Sequence, residues 1–175
     1  MKRLCTDFAY ILLVLLTAVA CGQDSFITSV GAVDEANAKL AGGDYEGALA
    51  AYDALQSKNP RIAFNRGLAL YHLQRWDEAI TAYDEARGAK DKAMKANCYL
   101  HIGKVHVAHA MQIGDAGEQE GGLEFWEKAV ESLENALLLD PGHEEALRLL
   151  EVALFHVDPP CRLRNDSKRI RDVKC

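Results

Sequence analysis

Apolar positions recur at helical spacing through most of this 175-residue chain, and one arrangement of them is written three times. The first copy is Asp44-Tyr45-Glu46-Gly47-Ala48-Leu49, followed by Tyr52, Leu55 and Pro60. The second is Arg75-Trp76-Asp77-Glu78-Ala79-Ile80, followed by Tyr83 and Ala86. The third is Phe125-Trp126-Glu127-Lys128-Ala129-Val130, followed by Leu133, Ala136 and Asp140-Pro141. In each, an aromatic precedes a small Ala by three residues, a large apolar residue stands four beyond it, and another apolar or small one three further on. Those intervals fall on one face of an α-helix. A helix pair with one such face must stack on its neighbours, so the pattern predicts an all-α helical solenoid.

The flanking signals divide the chain into helices. A first helix is expected over about 26–41, with Ala32, Ala36 and Leu40 on one face and Gly42-Gly43 ending it. Asp44 caps a second helix that reaches about residue 58, where Asn59-Pro60 stops it. Further helices are expected over 61–73, 76–87, 91–112, 123–139 and 143–156, with an exposed, Gly- and acid-rich loop at 113–122. The last helix carries Ala146, Leu149, Leu150, Ala153 and Leu154 as a stripe suited to capping the end of the stack.

These positions resemble the tetratricopeptide repeat, a pair of antiparallel helices with a period of about 34 residues. Gly67, Leu70, Tyr71, Ala79, Tyr83 and Ala86 match its helix-contact positions in the second unit. Ala36, Leu40, Ala48, Tyr52, Leu55 and Pro60 match in the first, and Gly103, His106, Ala129, Leu133, Ala136 and Pro141 in the third. The resemblance implies three repeats and a C-terminal capping helix over 29–157. Ala48 to Ala79 is 31 residues and Ala79 to Ala129 is 50. Gly103 to Ala129 is 26 where Gly67 to Ala79 is 12, so the third unit carries 14 extra residues, placed at about 111–124. In this family the first helices of the pairs line a concave, partner-binding groove. That implies a protein partner held by Asn37, Arg61, Phe64, Asn65, Leu68, Tyr71, His72, His101 and Lys104. Asn37 and Asn65 fit the family's clamp for a peptide carboxylate, but Val33, Asn97 and His101 stand where its basic residues would be.

The N-terminus changes the setting. Lys2 and Arg3 precede an apolar run over 8–20, too short to span a bilayer comfortably, which reads as an export signal over 1–20. Ala18-Val19-Ala20-Cys21-Gly22 resembles the lipobox of bacterial lipoproteins, which implies lipid attachment at Cys21 and a short tether over 21–28. Each buried acyl methylene contributes about 0.8 kcal/mol of membrane affinity. Ala18-x-Ala20 also suits an ordinary signal peptidase, so secretion without a lipid stays open. Gly22 after the cysteine resembles an outer-membrane, periplasm-facing address. The strings Asn65-Arg66-Gly67-Leu68-Ala69-Leu70, Lys92-Ala93 and Glu145-Ala146-Leu147 also resemble exported repeat proteins encoded beside von Willebrand-type Bat proteins, which implies an envelope complex.

Charge narrows the partners. The chain's net charge is −6, while the tail 158–175 holds six basic and three acidic residues. The body is therefore acidic, which argues against nucleic acid. Cys161 and Cys175 bracket the tail; an oxidising compartment permits a disulfide between them, or they remain separate thiols. No phosphate loop, GxSxG elbow or HExxH motif occurs. The rival to a non-enzymatic scaffold is a metal site or metal-dependent activity on the helix bearing His101, His106 and His109. No acidic residue or cysteine at helical spacing completes a ligand set with His106 and His109, Cys98 lying eight before His106, so no cofactor and no metal are expected.

Overall fold

A computed structural model describes residues 30–115 and 119–158, with side chains of 115 and 119–121 left aside. The signal segment, Cys21, the tether, and the tail with Cys161 and Cys175 lie outside the described residues. Seven helices and no strands occur among them, giving the all-α helix-pair architecture expected. The chain divides into two compact units, Met1–Ser57 and Lys58–Cys175.

In the first unit, helix α1 covers residues 30–41 and α2 is Tyr45–Ala54. The turn between them follows from three residues. Gly43 takes the left-handed conformation (φ 81°), its N–H bonds to the Leu40 carbonyl, and the Asp44 N–H reaches back to Lys39. Asp44 then accepts a hydrogen bond from the Gly47 N–H, so the residue that closes α1 also caps α2. Ala36, Ala48 and Tyr52 are buried, and the Tyr52 hydroxyl donates to Asn37 Oδ1 at 2.7 Å. Helix α2 ends four residues earlier than expected, at Ala54.

The second unit begins with α3 (Pro60–His72) and α4 (Trp76–Ala86). Pro60 sits in the first turn of α3, where its missing N–H costs nothing, and Asn59 caps it. The α3–α4 turn repeats the first hydrogen-bond pattern: Gln74 N–H to Tyr71 and Arg75 N–H to Leu70, with Gln74 at φ 57° where the first turn has Gly43. Helices α5 (Lys92–Asp115), α6 (Gln119–Leu139) and α7 (Glu144–Val157) complete the unit, each packed on its predecessor. Helix α5 also packs against α4, which explains why it is apolar on several sides: Ala96, Cys98, Leu100, Val105 and Ala110 are all buried. Leu100, Val107, Trp126, Leu133, Ala146 and Ala153 share one core joining α5, α6 and α7.

The expected loop at 113–122 is corrected: α5 continues to Asp115 and α6 begins at Gln119. Helix α3 runs five residues past Gly67, whereas α5 runs twelve past Gly103. Helix α4 starts three residues before Ala79, whereas α6 starts ten before Ala129. The extra residues thus divide equally, seven to each helix. Seven residues are nearly two whole turns, so each helix keeps its apolar face toward the other as both lengthen.

Candidate functional site

The residues expected to line a groove do not all fall together. Asn37, in the first unit, has its side-chain carbonyl bonded by Tyr52. On α3, Arg61, Asn65, Leu68 and His72 follow helical spacing and form one stripe, exposed at both ends and half-buried between. Phe64 and His101 are half-buried and pack against one another and Tyr83. The Phe64 ring stands edge-on to His101 at 4.9 Å and 5.4 Å from Tyr83, and Tyr83 lies 5.4 Å from His101. These rings join α3, α4 and α5, so Phe64 and His101 serve packing between the helix pairs. Burial pushes the His101 pKa down to about 4, helped by the Lys104 charge, and keeps the imidazole neutral.

Lys104 Nζ lies 2.8 Å from Glu145 Oε1, tying α5 to α7. The bond to Lys104 holds the Glu145 carboxyl below its ordinary range. With Lys104 engaged and His101 uncharged, α5 offers little to hold a peptide carboxylate.

The three histidines on α5 do not converge. His101 faces Phe64 and Tyr83, whereas His109 lies 4.0 Å from the Phe125 ring and 6.1 Å from Trp76. His106 is buried, with its pKa pushed down to about 4 mainly by burial. Among the described residues, no three His, Cys, Asp or Glu side chains gather as a metal site. Cys98 is buried and its thiol is raised to about 11, which leaves it unreactive at neutral pH.

Two clefts open on this unit. One, of about 260 Å³, lies between α4 and α6 with His106 among its walls. Within it Arg87 pairs with Asp84 and covers the Tyr99 ring, and Lys128 is turned to Glu124 outside the lining. The other, of about 520 Å³, lies where α3 ends and α4 begins, against the lengthened α5. Tyr71 and His72 come from α3, Gln74 from the turn and Trp76 from the start of α4. Ala108, Met111 and Gln112 form the α5 side, and the Trp76 indole N–H donates to Gln112 Oε1 at 2.9 Å. Of these residues the sequence reading had placed Tyr71 and His72 at the site. Met111 and Gln112 belong to the two added turns of α5, and the 14-residue excess was the signal that pointed to them.

A tetratricopeptide repeat family model matches residues 33–93. No curated protein matches the chain. Among solved structures, the second such domain of human RPAP3, in complex with an HSP70 peptide, is 21% identical, with TM-score 0.56. The match covers 71% of this chain and 93% of that one. The Yersinia enterocolitica type III secretion chaperone SycD, in complex with a peptide of the translocator YopD, is 18% identical with TM-score 0.57, over 75% and 95% of the two chains. The Arabidopsis OM64 domain is 19% identical with TM-score 0.57, over 72% and 93%. At these identities the likeness is one of fold: an all-α helical-repeat solenoid.

Proposed function

We propose that this is a tetratricopeptide-repeat protein that works without catalysis, as an interaction scaffold that holds a peptide or helix of a partner protein at a bacterial cell envelope. The observation that carries this reading is the Arg61–Asn65–Leu68–His72 stripe, a mixed polar and apolar strip on a helix braced from behind by the Phe64–Tyr83–His101 rings. Rigid support of that kind lowers the ordering cost of binding. The human and Yersinia relatives in fold were each solved with a peptide bound, which supports a protein partner here. Lipid attachment at Cys21 would hold the scaffold on the membrane, in the favoured arrangement on the periplasm-facing side of the outer membrane, and an envelope complex would supply the partner.

Two experiments test the reading. Affinity capture from cell envelopes should recover a specific partner with the native chain and lose it with an Arg61→Glu, Leu68→Glu double variant; equal capture by both overturns the groove. Metabolic labelling with an acyl donor should mark the native protein and not Cys21→Ser, and an unlabelled native protein would mean release as a soluble exported chain.

A further inference from the structure

We propose that the cavity at the α3–α4 turn is an anchor pocket that takes one uncharged aromatic or aliphatic side chain of the partner polypeptide. The inference rests on the scaffold reading and adds the chemistry of what is held.

Three observations carry it. First, the walls hold no Asp, Glu, Lys or Arg: Tyr71, Trp76, Ala108 and Met111 supply apolar surface, Gln74 and Gln112 supply amides, and His72 supplies an imidazole. The neighbouring Arg75 is bonded by its guanidinium to the Glu78 carboxylate, so its charge is already neutralised. A charged side chain entering would give up part of its hydration without gaining a counter-ion. An apolar one carries no such penalty, and side-chain amides match the donors and acceptors of a flanking peptide backbone.

Second, the α5 side of the pocket depends on the added length of that helix. Helix α3 ends five residues past Gly67, and the corresponding point on α5 is Ala108. Met111, 56% exposed, and Gln112 stand beyond it. The cleft is open to solvent and has a volume of about 520 Å³, room for one side chain of a docked polypeptide.

Third, the turn holds a residue in a conformation that glycine adopts more easily. Gln74 sits at φ 57°, and the equivalent turn of the first unit uses Gly43. Gln56, in another turn, also has a positive φ, but Gln74 is the one of the two that lines the pocket.

The test uses the full chain and a capped pentapeptide, acetyl-Ala-Ala-Phe-Ala-Ala-amide, with versions carrying Lys or Asp in place of Phe. The Trp76 indole N–H resonance reports on the pocket. The Phe peptide should shift it saturably at roughly millimolar concentration, and the Lys and Asp peptides should bind about tenfold or more weakly. Met111→Glu, a change at an exposed position, should reduce Phe-peptide binding about tenfold while leaving the helical circular dichroism unchanged. Gln74→Gly should weaken binding and raise the melting temperature. No shift with the Phe peptide, equal shifts with the charged peptides, or indifference to Met111→Glu overturns the pocket. Arg61→Glu should leave the pentapeptide's binding intact, so loss of partner capture in that variant separates failure of the groove from failure of the pocket.

Discussion

The Tyr83 ring of α4 lies against the backbone of Gly67 on α3, so closely that a Cβ at Gly67 would stand 2.7 Å from ring atom Cε1. The third pair repeats this relationship between Gly103 and Leu133, at 2.8 Å. Both partners are fully buried, so neither can swing away. Gly67→Ala should therefore cost about 1–3 kcal/mol through overpacking. Gly114→Ala, with open space around the new methyl, should be neutral or stabilising by up to about 1 kcal/mol. Urea midpoints of the two variants check the contrast.

Tyr83 holds a second consequence. Among the described residues its buried hydroxyl has no hydrogen-bond partner, and burial pushes its pKa well above the ordinary value. Tyr83→Phe keeps the ring against Gly67 and removes an unsatisfied polar group. The variant should match or exceed the native protein by up to about 1–3 kcal/mol, read as an unchanged or higher melting temperature.

Stability should fall on mild acidification. His101 and His106 are held neutral in the folded chain, with burial pushing their pKa values down to about 4 from the ordinary 6.5. Between those values the unfolded chain binds protons that the folded chain does not, so the histidine contribution is complete above pH 6.5 and is lost as pH drops toward 4. Each group contributes a slope of about 1.4 kcal/mol per pH unit at most. Glu145, whose pKa is lowered by Lys104, keeps its contribution until the pH falls below the ordinary carboxylate range. Denaturation midpoints at pH 7 and pH 5 should differ clearly in the native chain and less in His101→Phe.

The capping helix is pinned at its far end by Trp126 of α6, whose ring stacks on His156 at 4.0 Å and 5°. His156→Ala should cost about 0.5–1.5 kcal/mol and speed amide exchange in the last turns of α7. Trp126→Ala removes a core side chain and should cost about 3–5 kcal/mol.

The helix pairs were legible because their contacts are local and chemically distinctive. Ala48, Ala79 and Ala129 are fully buried at the close approaches, and Tyr52, Tyr83 and Leu133 fill the space four residues later. The helical ends at 113–115 and 119–122 were not legible. Glycines disfavour an isolated helix by about 1 kcal/mol each, but here the lengthened helices pack on one another, with Ala110 and Trp126 buried. The family resemblance implies a groove position for Phe64 and His101 because they stand on first helices of the pairs. That placement does not reveal that Tyr83 waits between them, so their role as packing rings required the third dimension. The anchor pocket escaped for the same reason: it joins α3, a turn, α4 and α5, none of which carries a motif for it.

The central claim is that the accessible side of α3 meets a specific protein partner. Replacing Leu68 with a photo-crosslinking amino acid in the full-length protein tests it in intact cells, with the exposed α6 position Glu134 as comparison. The account predicts a discrete light-dependent adduct with one protein from position 68 and none from position 134. No adduct from position 68, or the same adduct from both positions, would contradict it.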